Sequence, residues 1–266
     1  MTSSVSLSRQ TNRRNNEQQI QAPRLLGVGA FYIITINKKL FPMKIFAIGM
    51  NYLQHTEEMD GKAYKPAEPV IFLKADSSLL KDRKPFFIPD FMGQIDYETE
   101  IVVRISRLGK GITERFAHRY YDAVTVGIDF TAREMQKKCR EQGLPWDICK
   151  GFDGAACIGE WVELATTLSP KGKRMTDNTE EESTSALDIN NIRFHLDING
   201  KTVQTGCTND MLYKIDEIIA YISKFYTLKT GDMIFTGTPA GVGPVHINDH
   251  LEGFLEGKKV LEFNCK

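Results

Sequence analysis

The stretch Asp96-Tyr-Glu-Thr-Glu-Ile-Val-Val-Arg-Ile105 places an acid at every second position of its first half and runs into an apolar second half. In a β-strand, residues i, i+2 and i+4 share a face. Asp96, Glu98 and Glu100 therefore stand together, while Tyr97, Ile101 and Val103 point the other way, toward a core. Three like charges at this spacing repel one another. A chain that contains such a strand either leaves the acidic face solvated at a sheet edge or places a positive charge among the carboxylates. Oxygen-only ligands select a hard cation, Mg²⁺, Mn²⁺ or Ca²⁺, over zinc. On the strand alone both readings stand.

The chain around it has 266 residues, with 34 Lys+Arg against 34 Asp+Glu and a formal net charge of zero. The length suits one domain or two and a sizeable core. A hydrophobic share of 41% with 26% charged residues is ordinary for a globular protein. The charge balance argues against a nucleic-acid partner, which calls for a basic surplus. No run of about 18 apolar residues occurs, so no membrane-spanning helix is expected. The five cysteines, Cys139, Cys149, Cys157, Cys207 and Cys265, show no C-x-x-C spacing and are odd in number. They read as reduced thiols of a cytosolic-type compartment.

Residues 1–24 are rich in Ser, Gln, Asn and Arg, and a short apolar run, Leu25 to Ile36, follows. Residues 1–42 are expected to be a poorly ordered extension. A signal peptide would need a small-residue cleavage site, which is not seen; a transit peptide fits the Arg- and Ser-rich, acid-poor start better and would make the protein organellar. The preferred reading is a dispensable extension ahead of a start at Met43, with one catalytic domain over 43–266 and a cytoplasmic location. The polar segment 166–186 reads as a surface loop.

Strands are predicted at Lys44–Gly49, Val70–Lys74, Asp96–Ile105, Tyr121–Asp129, Arg193–Ile198 and Met233–Phe235. Asn51–Met59 is helix-compatible, and helices are expected at Thr131–Gln142 and about Met211–Lys224, the latter with Ile215, Ile218, Ile219 and Ile222 on one face. Asn199-Gly200 is a hairpin turn signal. Strands outnumber helices without regular alternation, which predicts α+β with mixed or antiparallel sheets rather than a doubly wound fold.

Several further residues carry chemistry. Asp129 ends an apolar strand, as a turn acid or as a third oxygen ligand from a neighbouring strand end, and Thr131 is placed to cap the helix after it. His55 and Glu58 lie at i and i+3 and share a helical face. They are either a surface pair or a general base oriented by a carboxylate. Lys150 lies among aromatics, as a snorkelling lysine or as a charge that stabilises an enolate. The loop Gly237 to Gly243, with Thr238, suits an anion but lacks the Gly-Lys-Ser/Thr ending of a P-loop. No G-x-S-x-G or H-E-x-x-H motif occurs.

The order of these motifs is more telling than any one of them: Gly49 to His55, Phe72-Leu-Lys74, Asp96 to Glu100, Gly127 to Arg133, Trp146 with Lys150, Asn199-Gly200, Gly231-Asp232 and Thr236 to Gly243. The series resembles the fumarylacetoacetate hydrolase family over residues 44–263. The resemblance implies an α+β fold, a mixed β-sandwich roll of the C-terminal-domain type, usually as a homodimer. It implies Mg²⁺ or Mn²⁺ on Glu98, Glu100 and Asp129, an active-site Lys150, and pocket positions at Arg133, Gln136 and Thr238. It also implies a water-activating pair in His55 and Glu58. The family's substrates are small 2-oxo or 1,3-dicarbonyl acids. The expected activity is therefore C–C cleavage of an acylpyruvate-type 2-oxo acid through a metal-stabilised enolate. The alternatives are isomerisation or decarboxylation of 2-hydroxyhepta-2,4-diene-1,7-dioate in aromatic catabolism, decarboxylation of oxaloacetate, or a non-catalytic metal- or anion-binding role. Two departures from the family pattern are the length of segment 166–186 and Lys150-Gly151-Phe152, where many members read Lys-Ser-Phe.

Overall fold

The computed structural model describes residues 43–164 and 187–266. The expectations for the extension 1–42 and for the loop 166–186 fall outside the described residues. The first half of the chain gives β1 (Ile45–Gly49), α1 (Leu53–Asp60), β2 (Val70–Lys74), β3 (Leu79–Leu80), β4 (Ile95–Tyr97), β5 (Thr99–Ile105) and α2 (Glu114–Ala117). Then come β6 (Tyr121–Asp129), β7 (Thr131–Ala132), α3 (Arg133–Gln142), α4 (Asp147–Lys150), β8 (Ala156–Ile158) and β9 (Val162–Glu163). The last part holds β10 (Arg193–Ile198), β11 (Lys201–Cys207), α5 (Ile215–Phe225), β12 (Met233–Phe235), β13 (Gly243–Pro244), β14 (His250–Leu255) and β15 (Lys258–Asn264).

The strands form a large sheet in the order β2-β1-β12-β5-β6-β8-β3, with β9 also on β6, a four-stranded sheet β11-β10-β14-β15, and a small sheet β13-β4-β7. In the large sheet β1 runs parallel to β12 and β3 to β8, while the other pairs are antiparallel. The second sheet packs across β5 and β6 through β10, β14 and β15. This is the expected α+β mixed sandwich roll. Ile101 to Val103 and Ala123 to Ile128 are buried on both faces, as their nearly unbroken apolar runs require of central strands. The cysteines are all free thiols.

Four boundaries differ from the sequence reading, each for a local reason. The strand expected at Asp96–Ile105 breaks at Glu98, because β4 pairs with β13 and β7 whereas β5 pairs with β12 and β6. The chain changes sheets at that residue. Thr131 and Ala132 pair with Asp96 and Ile95 as a short strand, so α3 starts at Arg133 and Thr131 does not cap it. The last helix starts at Ile215, not Met211, since Met211 bridges to Tyr52 and Glu217 Oε2 accepts the Lys214 N–H at 2.7 Å. The helix near Asn51 starts at Leu53, after an extended Tyr52. The Asn199-Gly200 turn holds, with φ of 53° and 76°, as a two-residue hairpin turn of this type needs.

One polar side chain ties the ends of three segments together. Buried Asn51, just after β1, donates through Nδ2 to the carbonyls of Thr236 (2.8 Å) and Tyr213 (3.0 Å), and its Oδ1 accepts the Tyr213 N–H at 2.8 Å. Gly237, next to Thr236, has φ +98°, and a Cβ there would lie 2.6 Å from the Asn51 Cβ. Only glycine lets the loop after β12 pass this close. Asn51→Ala strands three backbone groups at once, each worth about 1–3 kcal/mol when buried unpaired. We expect a loss of about 3 kcal/mol or more in urea denaturation with an unchanged m value.

Candidate metal and substrate site

The break at Glu98 brings the acids together. Glu98 sits at the junction of β4 and β5, Glu100 follows on β5, and Asp129 ends β6, whose N–H donates to the Glu98 carbonyl at 2.9 Å. One carboxylate oxygen from each of Glu98, Glu100 and Asp129 lies within 4.8 Å of the others, and all three residues are buried. Because β5 lies between β12 and β6, the solvated-edge reading of this strand does not hold. Asp96 is not part of the cluster. Its Oδ2 pairs with Arg133 Nε at 2.7 Å and its Oδ1 accepts from Gln94 at 2.7 Å.

Three cations hold the acids in place. Lys150 Nζ lies 2.7 Å from Glu98 Oε2, 3.0 Å from Asp129 Oδ2 and 2.6 Å from Thr131 Oγ1. It is 2% exposed, so it does not snorkel to solvent. Lys74 Nζ pairs with Asp129 Oδ1 at 2.6 Å and donates to the carbonyls of Lys150 and Ala155. Arg133 Nη2 donates to Glu98 Oε1 at 2.8 Å and its Nη1 to Gln136 Oε1 at 2.7 Å. Buried charges are tolerated only when paired in this way.

The titration directions follow from this geometry. Burial alone would raise Glu98, yet Lys150 and then Arg133 hold it far below the usual carboxylate range. Burial, followed by the charges of Asp129 and Glu98, pushes Glu100 well above that range, against one N–H from Gly237 at 2.7 Å. Burial lowers Lys74, which faces one adjacent carboxylate, while Asp129 and Glu98 together outweigh burial and raise Lys150. Four carboxylates, Asp96, Glu98, Glu100 and Asp129, thus meet three cations, Lys74, Lys150 and Arg133. Glu100 is the acid left without a cation, which is why its pKa is raised. An all-oxygen set with one uncompensated carboxylate fits a hard divalent cation.

Several of these groups line a narrow cleft, whose walls include Met50, His55, Met59, Phe72, Glu98, Asp129, Arg133, Gln136, Arg140, Trp146, Lys150 and Thr238. His55, on α1, has Nδ1 3.3 Å from Glu58 Oε2, and Glu58 in turn accepts the Gly241 N–H at 3.1 Å. Burial opposes ionisation of Glu58, but the bonds from His55 and Gly241 lower its pKa overall. A carboxylate on Nδ1 leaves Nε2 as the basic nitrogen of His55. His55 lines the cleft, and the exposed Glu58 holds its Nδ1 from the solvent side.

The glycine loop differs from the expectation of an anion cradle. Its Gly237 and Gly241 N–H groups bind the protein's own Glu100 and Glu58. The Thr238 hydroxyl lines the cleft but donates to the Thr99 carbonyl at 2.9 Å and accepts from Gln204 Nε2 at 2.8 Å. Gln136 is buried against Arg133. All nine site residues read from the sequence thus converge on one region: His55, Glu58, Glu98, Glu100, Asp129, Arg133, Gln136, Lys150 and Thr238. The sequence reading quoted Lys74 within the motif Phe72-Leu-Lys74 but gave it no site role, and it did not single out Gln204 or Arg140. Lys74 had a signal, a lysine closing the otherwise apolar run Val70 to Leu73. Gln204 had none, since one glutamine in a hairpin strand is unremarked.

The raised Glu100 pKa sets the sign of a pH effect. Between the ordinary glutamate value of about 4.3 and its folded value, the folded state holds a proton that the unfolded chain has released. Stability therefore falls as pH rises through this window. Glu98 acts oppositely, but its loss on acidification lies below that window. In chelator, melting temperature should fall as pH rises above the ordinary glutamate value, with a shallower slope in Glu100→Gln, while added Mn²⁺ should flatten the wild-type slope. A wild-type slope equal to that of Glu100→Gln would contradict the assignment.

Known proteins resemble this chain over most of its length. The family model described as fumarylacetoacetate (FAA) hydrolase C-terminal matches residues 44–265. An oxaloacetate tautomerase of Escherichia coli is 36% identical over 80% of this chain and 89% of its own. The mitochondrial oxaloacetate tautomerase of Bos taurus is 33% identical over 84% of this chain and 91% of its own. A crystal structure of fumarylpyruvate hydrolase from Pseudomonas aeruginosa in complex with Mn²⁺ and pyruvate superposes with a TM-score of 0.71 at 27% identity, covering 84% of this chain and 88% of that one. No helix among the described residues is long and apolar enough to cross a membrane.

Proposed function

Because the chain belongs to the fumarylacetoacetate hydrolase family, with residues 44–265 matched, we propose that it is a divalent-metal-dependent enzyme that cleaves a C–C bond in a small acylpyruvate-type 2-oxo acid. The observation that carries this reading is the His55–Glu58 pair in one cleft with the buried cluster of Glu98, Glu100 and Asp129. Mg²⁺ or Mn²⁺ held by those three carboxylates would supply Lewis-acid stabilisation of the negative charge that develops on the 2-oxo oxygen. The Mn²⁺ and pyruvate named with the Pseudomonas structure support this choice of cation and substrate end.

The protein's own groups then have these roles. His55 Nε2, with Nδ1 held by Glu58, takes a proton from water as its oxygen attacks the distal carbonyl. The C–C bond breaks, its electron pair passes to the pyruvate fragment, and a proton returns to that carbon. Lys150 keeps two carboxylates ionised and oriented and adds positive charge beside the developing anion, although its three donors are spent on Glu98, Asp129 and Thr131. Arg133, braced by Gln136, fixes the other oxygen of Glu98. Thr238 and the loop that carries it form the wall beside Glu100 and Glu58. Two copies of the chain are the assembly that accompanies this reading. The mitochondrial relative is compatible with an organellar reading of residues 1–42.

Tautomerisation of a 2-oxo diacid is a second reading, favoured by the two oxaloacetate tautomerases among the relatives. It uses the same cluster, with His55 moving a proton at the carbon next to the 2-oxo group and no attacking water. Acetylpyruvate and enol-oxaloacetate, each with Mn²⁺ and with chelator, separate the two readings. Metal-dependent formation of pyruvate and acetate supports cleavage, and metal-dependent decay of the enol absorbance alone supports tautomerisation. Glu98→Gln should abolish either activity. His55→Ala should lower acetylpyruvate cleavage by about 100-fold or more with Mn²⁺ binding retained, and full cleavage by this variant would remove His55 from the mechanism.

A further inference from the structure

The donor inventory of the cleft singles out one cation. Lys150 spends its three donors on Glu98, Asp129 and Thr131, and Lys74 spends its own on Asp129 and two backbone carbonyls. Each side-chain nitrogen of Arg133 bonds a protein oxygen, on Asp96, Glu98 or Gln136. Arg140 differs. Only its Nη2 has a hydrogen-bond partner among the described residues, Asp60 Oδ1 at 2.5 Å. The other oxygen of Asp60 accepts from the Tyr64 hydroxyl at 2.7 Å, so Asp60 is itself fixed. A guanidinium has five N–H donors in a planar fork suited to a carboxylate, and Asp60 occupies one corner of it.

Position adds the second argument. Arg133, Gln136 and Arg140 lie at i, i+3 and i+7 on α3 and all line the cleft. At 1.5 Å per residue, Arg140 stands about 10 Å along the helix axis from Arg133, which grips the carboxylate cluster. The Arg140 side chain is 30% exposed against 17% for Arg133, which places it toward the open side, where the cleft adjoins a second cavity along α3. A substrate held by its 2-oxo and carboxylate oxygens at the cluster would extend its far end in this direction.

We propose that Arg140, oriented by Asp60 and Tyr64, is the residue that binds the distal carboxylate of a dicarboxylic 2-oxo acid and discriminates it from a monocarboxylic one. This rests on the reading of the cluster as the seat of the 2-oxo acid end, and it adds the residue that reads the other end. Arg140 is a specificity-determining residue and takes no part in bond making.

The test compares the metal-loaded full-length protein with Arg140→Gln and Arg140→Lys on fumarylpyruvate, a dicarboxylate, and acetylpyruvate, a monocarboxylate. The ratio of kcat/KM for the two should favour fumarylpyruvate in the wild type. It should fall at least tenfold in Arg140→Gln, mainly through KM, and recover in part in Arg140→Lys. An unchanged ratio, whether both activities fall together or neither does, overturns the proposal. A direct binding measurement on the wild type keeps the question decidable if the variants fail to fold or if neither substrate turns over. By calorimetry, the Mn²⁺-loaded protein should bind 2-oxoglutarate at least tenfold tighter than 2-oxopentanoate. Equal affinities overturn the role of Arg140 and leave the 2-oxo acid reading standing, whereas no binding of either acid defeats both.

Discussion

Burying four carboxylates together has a large electrostatic cost, and the arrangement of the chain around Glu98 is governed by how that cost is met. Transfer of a charge from water to the interior costs several kcal/mol per ion, to be offset only by close, well-directed partners. Lys150, Lys74 and Arg133 provide them, and each is delivered by an element that must arrive at one place: α4, the end of β2 and the first turn of α3. The break between β4 and β5 is part of the same solution. A continuous strand would keep Asp96 on the face of Glu98 and Glu100. The change of sheet instead gives Asp96 to Arg133, which in turn steers one oxygen of Glu98.

The cations pair with three of the four acids, and Glu100 is left with a single backbone N–H from Gly237 and a raised pKa. An acid without a cation partner, beside two others, is an oxygen set that could hold a hard divalent cation. The supporting frame is polar as well. Gln204 Oε1 accepts the Thr99 N–H at 2.9 Å while its Nε2 reaches Thr238 and the Pro239 carbonyl. Together with Asn51 on Thr236, it anchors the glycine loop against β5. Buried hydrogen-bond networks of this kind hold a site rigidly. Rigid placement is what a reaction through a developing anion needs.

Much of the fold was legible because local pattern and tertiary role agree there. The apolar runs of β1, β6 and β12, the Asn199-Gly200 turn and the buried isoleucines of α5 each follow from burial or from backbone preference. Misplaced boundaries occur where a long-range pairing overrides the local signal. Thr131 and Ala132 read as the start of a helix but pair with β4, and Met211 reads as helical but bridges to Tyr52.

The same division holds at the site. Acids at alternate positions, an i, i+3 histidine–glutamate pair and a lysine among aromatics were visible in one dimension, the order of the motifs pointed to the family, and that resemblance supplied Arg133 and Gln136 and the roles of the nine residues that the fold brings into one region. Tertiary structure alone decided the partners: which acid faces a cation and which is left over, that Lys74 shares Asp129 with Lys150, that the Thr238 hydroxyl is already engaged, and that Arg140 keeps open donors. The reason is distance. Charge compensation and hydrogen-bond satisfaction are settled over a few ångströms between segments far apart in the chain, and Glu98 meets Lys150 only after the sheets have formed.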